Sequence, residues 1–384
     1  MSRSGIYIKA KEGYKFFQPN PLPPEPPLKI NSKISKLLTE AENAIKSINT
    51  AAKIIPNQAL LIDLFAQKEA LLSSQIEGKP SSLADLLSDN GGSSKEVAVA
   101  EVKDYIQAMK YGLKKLKRDD DKLTLNLILE VHKLLMKSAG GSKKSVPSGK
   151  WRTTQNFIGG TNLHNARYIP PPVDVMHEAL KDFEHYLKTD DGIPTLIRCA
   201  LIHYQFETIH PFTYGNGNGR IGRLLITFYL TWKKVLDEPL LYLSSFLKTH
   251  KQEYYDRLMQ VRNDGNYEAW IQFFLEGIVE ISKQVLNATR HIQKLEYSDT
   301  DRLIKAGVGN EGLLLLRVLM RQPRINVRSI QEMLDISYSK ANNLVTTAER
   351  LDILHQISGG KRNRQYLYKN YYDILSEGTD YSTD

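Results

Sequence analysis

From Ile34 onward the chain places apolar residues three and four positions apart. KISKLLTEAENAIKSINTAAKII follows this 3.6-residue period, as do ALLIDLFAQKEALLSSQIEG after Pro56-Asn57, VAVAEVKDYIQAMKYGLKKL and LTLNLILEVHKLLMKSA, which predicts four amphipathic helices. The period returns in VMHEALKDFEHYLKT, IPTLIRCALIHYQFETIH, GRLLITFYLTWKKVL, HKQEYYDRLMQVRND and the long YEAWIQFFLEGIVEISKQVLNATRHIQKL. The predicted fold class is mainly α. Two stretches interrupt it. Asn20 to Pro27, NPLPPEPP, must be extended, because proline lacks an amide donor and restricts the residue before it, and it reads as an N-terminal arm. Between Ser142 and Val173 glycines and Pro170-Pro171-Pro172 break the helical pattern. There QNFIGG and ARYIPPP read as two short strands around a turn at Gly160 to Asn165, a small β-hairpin on a helical body.

Beyond Tyr297 to Thr300 the pattern changes again. EGLLLLRVLMRQ, INVRSIQEMLD and YSKANNLVTTAERLDIL are helical, and HQISGG and RQYLYKN are strand-like around GGKRN, an order that predicts a winged helix. A chain of 384 residues holds two or three domains. The expected division is an arm with its helices over 1–95, a helical core over 96–297 and a winged helix-turn-helix domain over 298–384.

Charge alters this picture in one region. The formal net charge is +9, from 52 basic and 43 acidic residues. Between Gly312 and Lys369 ten Lys/Arg face four Asp/Glu, so much of the excess lies in the C-terminal part and invites a nucleic-acid or phosphate partner. The single cysteine, Cys199, sits in the apolar run IRCALIHY, which excludes disulfides within the chain and reads as a core position. The N-terminus lacks the apolar core of a signal peptide and no apolar run is long enough to span a bilayer, so a cytoplasmic protein with no membrane partner is expected.

The chemistry concentrates in His210 to Arg223, HPFTYGNGNGRIGR. Gly215, Gly217, Gly219 and Gly222 lie before and within the start of a helix, where free amides and the positive dipole end favour an anion. Arg220 and Arg223, three apart, put two guanidinium groups on one helical face, and phosphate is the matching guest. His210 stands at the other end of the loop, where an imidazole can take a proton from an attacking hydroxyl. Gly217 to Gly222 formally satisfies GxGxxG, but no clean strand precedes it and no acid follows about twenty residues on; GxxxxGK[ST] is missing. His203, Glu207 and His210 share a helical face at metal-ligand spacing, yet HExxH is absent and helix packing accounts better for His203 and Glu207.

HPF followed by GNGRxxR resembles the signature loop of Fic proteins, which most often transfer AMP from ATP to a hydroxyl side chain of a target protein. Ser73-Ser74-Gln75-Ile76-Glu77-Gly78 resembles the [ST]xxxE[GN] inhibitory helix of one Fic class. The resemblance implies a helical Fic-type core over 96–297 with the segment Phe157 to Ile169 as its flap, His210 as catalytic base, and phosphates held by Gly217, Asn218, Gly219, Arg220, Gly222 and Arg223. It also implies that Glu77, with Ser73, pairs with Arg223 and blocks the productive pose of ATP, and that Tyr254 and Tyr255 flank the adenine or pack the helix. The family loop usually has two residues between HPF and GNGR, the second often acidic. Here Thr213-Tyr214-Gly215-Asn216 intervene without a carboxylate, so a Mg²⁺ ion accompanying the ATP would draw on phosphate oxygens and the Asn216 carbonyl.

The expected function is an auto-inhibited protein adenylyltransferase acting on a Tyr, Thr or Ser hydroxyl of a target protein, itself included. The alternative is a DNA-binding transcriptional regulator whose degenerate Fic domain senses nucleotide. In it Ser337 caps a recognition helix bearing Tyr338, Lys340, Asn342 and Asn343, with Lys361, Arg362 and Arg364 on the wing. The sequence leaves a homodimer open.

Overall fold

The computed structural model describes residues 2–54, 58–79, 82–86, 93–117, 122–139, 147–213, 215, 217–358, 364–377 and 379. The chain opens with an antiparallel pair, β1 (Gly5–Lys9) and β2 (Lys15–Pro19), in register Gly5 with Pro19 through Lys9 with Lys15. The helices α1 (Ser32–Ile54), α2 (Gln58–Ile76), α3 (Leu83–Leu86), α4 (Ser93–Leu116) and α5 (Leu125–Leu135) follow the proline arm. Then come α6 (Val173–Lys188), α7 (Thr195–Ile209), α8 (Asn218–Trp232), α9 (Ser244–Thr249), α10 (Lys251–Asp264) and the 39-residue α11 (Tyr267–Lys305).

The centre of the molecule is the pair α7 and α8. From Leu196 to Ile209 every residue of α7 is buried, so it carries no polar stripe and is packed on all sides. Such a helix must satisfy its polar side chains internally: the Arg198 guanidinium donates to the carbonyls of Tyr186 and Thr189 and to the Tyr229 hydroxyl. Trp270 of α11 donates its indole N–H to the Ala200 carbonyl at 2.9 Å, and Cys199 is a fully buried core thiol. α1 lies along α11, and α2 packs against α4, α8 and α9.

Past residue 297 the helix α11 continues without a break to Lys305. It is followed by α12 (Gly309–Arg321), β3 (Arg324–Asn326), α13 (Val327–Leu334), α14 (Tyr338–Arg350), β4 (His355–Gln356), β5 (Gln365–Leu367) and α15 (Lys369–Ser376). β5 lies between β3 and β4 in an antiparallel sheet, with Ile325 opposite Tyr366 and Gln356 opposite the same residue on the other side. Tyr368 ties this region to α11, its hydroxyl donating to the buried Asp299 at 2.6 Å.

The hairpin read between residues 142 and 173 is reduced to one antiparallel bridge, Ile158 with Tyr168, among the described residues. Its flanks are spent elsewhere. Asn156 donates to the Phe212 carbonyl at 2.6 Å and Gln155 to that of Pro170 at 2.8 Å, while the prolines that follow offer no ladder donors. Asn165 Oδ1 accepts the amides of Thr161 and Asn162, both at 2.9 Å, and closes the turn at the expected place. β1 and β2, from a segment whose alternation is masked by lysines and glycines, are an addition to the sequence reading, and the Phe17 N–H donates to the Ile169 carbonyl at the base of the flap.

Candidate functional site

The joint between α7 and α8 is fixed from several sides. His210 ends α7 in the left-handed region, φ 49° and ψ 62°, which turns the chain sharply away from the helix axis. Phe212 donates its N–H to Asn218 Oδ1 and accepts from Asn218 Nδ2, both at 2.8 Å, so this side chain staples the two ends of the loop. The Arg152 N–H donates to the Pro211 carbonyl and its Nε to the His210 carbonyl at 3.1 Å; the same guanidinium also reaches Pro171 and Thr154. The His132 ring stacks on Phe212 at 3.6 Å. Gly217 precedes α8 at φ 79°, a conformation that disfavours side chains with a Cβ.

The imidazole of His210 is held neutral. Burial lowers its pKa to about 3, and the charges of Arg262 and Arg152 add to the effect. Its Nδ1 has no hydrogen-bond partner among the described residues; the nearest carboxylate oxygen, Glu207 Oε2, is 4.0 Å away. Burial also pushes the Glu207 carboxyl up to about 7, with Arg223 opposing and Glu77 assisting. The pair therefore has an unprotonated imidazole and a carboxyl that titrates near neutrality.

At the amino terminus of α8 an anion is already present, the carboxylate of Glu77. It lies one residue past the end of α2, oriented by the turn in which its N–H and that of Gly78 return to Ser74 and Gln75. Oε1 accepts the Arg220 backbone N–H at 3.0 Å and Arg223 Nη2 at 3.3 Å, and Oε2 accepts Arg220 Nε at 3.0 Å. Gly219 stands beside this carboxylate in the first turn. Arg223 also donates to the Ser73 hydroxyl at 2.7 Å and the Ser73 carbonyl at 2.8 Å, and Arg220 Nη1 lies 3.5 Å from Glu101 Oε2. Both arginines are buried. Two guanidinium groups and a free helix amide converge on one point, a set that binds carboxylate or phosphate oxygens.

Behind the loop, α7 and α8 meet closely: a Cβ on Gly222 would lie 2.3 Å from Glu207 Oε1, so any larger residue would displace the Glu207 carboxylate. His203 Nδ1 lies 2.9 Å from the Gly222 carbonyl and must donate to it, which leaves Nε2 to accept the Tyr254 hydroxyl at 2.9 Å. Burial lowers His203 to about 4, so this imidazole is neutral and structural. Tyr254 is 1% exposed and belongs to this packed cluster with Trp270. Tyr255 is only partly buried and lies within reach of the charges of Arg223, Glu207 and Glu77.

The structure thus brings His210, Gly217, Asn218, Gly219, Arg220, Gly222, Arg223, Ser73 and Glu77 into one site. Asn216, expected at a metal, and Tyr214 lie outside the described residues, as do Lys361 and Arg362. Among the described residues no group of three or more His, Cys, Asp or Glu is placed to hold a metal ion. Sequence reading missed Arg152, Asn156 and Glu101. Arg152 and Asn156 sit in an irregular segment, and Glu101 on a helix face like any other; only the fold joins them to the loop.

Residues 35–114 match the model of the Fic/DOC family N-terminal domain, and residues 122–230, which include the whole loop, match that of the Fic/DOC family. These two stretches of the chain belong to the Fic/DOC family. Among its relatives, the protein adenylyltransferase Fic of Culex quinquefasciatus is 30% identical over 171 residues, 44% of this chain and 30% of the relative. The protein adenylyltransferase fic-1 of Caenorhabditis elegans is 32% identical over 117 residues, 30% of this chain and 20% of the relative. The chain therefore spans less than a third of the length of these curated relatives. In fold, it is similar to a Fic family protein from Desulfovibrio desulfuricans G20, with a TM-score of 0.57 at 19% identity over 89% of this chain and 97% of that one. It is also similar to a Fic domain containing signaling protein from Bacteroides thetaiotaomicron, with a TM-score of 0.51 at 17% identity over 67% and 97% of the two chains. No helix among the described residues is long and apolar enough to cross a membrane.

Proposed function

We propose that this Fic protein is an auto-inhibited protein adenylyltransferase that moves AMP from ATP to a hydroxyl side chain of a target protein. The observation that carries the reading is the carboxylate of Glu77 seated on the Arg220 amide and both guanidinium groups. That carboxylate stands in for phosphate oxygens, so ATP and Glu77 compete for the same donors. With Glu77 withdrawn, Arg220, Arg223 and the first amides of α8 would hold the phosphates and balance the charge that develops in transfer.

In the transfer step His210 takes the proton of a target Tyr, Thr or Ser hydroxyl. The hydroxyl oxygen bonds to the α-phosphorus, the bond to the oxygen bridging to the β-phosphorus breaks, and pyrophosphate leaves. A neutral imidazole is the form able to accept that proton, and the negative triphosphate would raise its proton affinity by opposing Arg262 and Arg152. The flap, bridged at Ile158 and Tyr168, would receive the target segment by strand addition, and Tyr255, within reach of the charges of Arg223, Glu207 and Glu77, would flank the adenine. A Mg²⁺ ion bound mostly by phosphate oxygens would neutralise charge on the leaving group.

The test is label transfer from α-labelled ATP with Mg²⁺ in cell lysate, using the wild type, Glu77→Gly, and Glu77→Gly with His210→Ala. Label that rises in the single variant and vanishes in the double one supports the reading; no label in any of them removes it.

A second reading, a DNA-binding regulator, rests on the C-terminal unit as a winged helix. Ser337 Oγ caps α14 by accepting the Lys340 amide, Tyr338 is 52% exposed, and Asn343 is exposed. Against it, Lys340 pairs with Glu311, and Asn342 accepts Arg364 at 2.6 Å. Duplex DNA binding that survives His210→Ala and fails with Arg364→Ala would favour this reading.

A further inference from the structure

A cleft of about 400 Å³ lies beside α2, walled by α2, α9, α11 and α15. We propose that this cleft is an effector site for a small organic cation, an amine carried on a flat apolar body, and that its occupant sets how firmly α2 holds Glu77 over the anion site. The second half of this statement rests on the reading of that site as a nucleotide site.

The volume falls in the range of pockets that enclose small organic ligands. Its walls include buried Leu72, Leu240, Ile281 and Val285, which suit an apolar body. Phe65 and Tyr242 are among the lining residues, and aromatic rings suit an ammonium group. Two carboxylates, Glu280 and Glu377, line the cleft against one lysine, Lys68, so the charge balance favours a cation, while the third, Glu69, is buried and held by Ser244 and Tyr105. Tyr242, 6% exposed, contributes to the apolar wall, with its hydroxyl buried away from the cleft.

The link to Glu77 is short. Leu72 precedes Ser73, which holds Arg223, and Glu69 is fastened to α9 by the Ser244 hydroxyl and N–H at 2.5 and 3.2 Å. On the other side Gln75, between Ser73 and Glu77, donates to the Thr379 carbonyl at 3.0 Å, just beyond α15. The end of α2 is therefore braced between α8 and the C-terminal segment that forms one wall of the cleft. A ligand that fits the cleft in this arrangement favours it, and by linkage weakens nucleotide binding by the same factor that nucleotide weakens its own.

The experiment is calorimetric titration of the full chain with tryptamine, and with indole-3-propionate as the same body bearing the opposite charge. Tryptamine should bind and indole-3-propionate should bind at least about tenfold more weakly. Glu280→Gln should weaken tryptamine roughly fivefold, and Ala288→Trp, at the cleft wall, should abolish its binding while the melting temperature shows that the variant folds. Saturating tryptamine should weaken ATP binding about fivefold in the wild type and leave it unchanged in Glu77→Gly. No binding of tryptamine, equal binding of the carboxylate, or binding indifferent to both variants would overturn the site. Binding without any effect on ATP affinity would overturn the link to Glu77. If Glu77→Gly binds no ATP at all, the nucleotide reading of the loop fails, while the titrations without ATP still decide the cleft.

Discussion

The carboxylate of Glu77 accepts the backbone N–H of Arg220 at 3.0 Å, so a side chain from the end of α2 caps the amino terminus of α8 across 143 residues of sequence. The same carboxylate neutralises two buried guanidinium groups, which gives it a structural role beside the blocking one proposed for it.

Removing it should therefore have opposite effects on stability and on binding. Glu77→Gly leaves Arg220 and Arg223 facing each other without their shared anion, and the apo protein should lose about 2 kcal/mol, less than a fully buried pair would because Glu77 is partly exposed. ATP then supplies the missing charge. Calorimetry should show ATP binding tighter by an order of magnitude or more, and thermal melts should show a lower starting midpoint with a larger rise on adding ATP. A variant as stable as the wild type, with no gain in affinity, would contradict this account.

Ser73 tests whether Arg223 needs to be aimed. Its hydroxyl accepts Arg223 Nε at 2.7 Å, while the carbonyl of the same residue holds Nη2. Ser73→Ala keeps the carbonyl bond and removes the hydroxyl's bonds to Arg223 and Tyr105, so a stability loss of about 1 kcal/mol and an ATP affinity between those of the wild type and Glu77→Gly are expected. Calorimetry on the three proteins side by side checks the order.

Much of this site was legible because it is local. HPF and GNGRxxR lie within one loop, and the glycine and arginine spacing dictates an anion site at a helix start whatever surrounds it. The pairing of Glu77 with that loop was reached only through resemblance, since nothing in KEALLSSQIEG reveals what faces it. Arg152 and Asn156 were invisible for a different reason. Their partners are the carbonyls of His210, Pro211 and Phe212, and backbone carbonyls have no signature in sequence. The same limit hid β1 and β2, whose pairing depends on a turn rather than on apolar alternation.

Arg152 should behave as a positioning residue. It is 1% exposed and gathers the His210, Pro171 and Thr154 carbonyls around one guanidinium, so it sets where the imidazole stands without approaching the anion site. In a Glu77→Gly background, Arg152→Lys should lower kcat by roughly tenfold or more with ATP affinity nearly unchanged. Equal losses in both would mean that the whole loop had moved.

Tyr254 separates core from site. Tyr254→Phe deletes the donor to His203 Nε2 and leaves a buried ring nitrogen unpaired, which should cost about 1–2 kcal/mol in urea unfolding. ATP affinity should not change, because the ring lies behind Gly222 and not over the loop. Tyr255→Ala, at the partly buried neighbour, should instead weaken ATP with little effect on stability.

Glu207 makes stability depend on pH. In the unfolded chain its carboxyl titrates near 4.5, and burial raises it to about 7 in the folded protein. Between those values the unfolded state has released a proton that the folded state still holds, so this residue's contribution to stability falls as pH rises from about 4.5 to 7 and then levels off. Glutamine mimics the protonated carboxyl and does not titrate. Glu207→Gln should therefore gain on the wild type across that window by an amount on the order of 2 kcal/mol, as measured by urea unfolding at pH 4.5 and pH 8. His210 runs the other way. Its folded value of about 3 lies below the 6.5 of a free imidazole, so its contribution rises with pH between 3 and 6.5 and partly masks Glu207 in the wild type. Taking the difference between Glu207→Gln and the wild type cancels the His210 contribution only if the two groups titrate independently. The same measurement in a His210→Asn background tests that condition: an unchanged pH difference means independent titration, and a smaller one means that the imidazole and the carboxyl, 4.0 Å apart, share a proton.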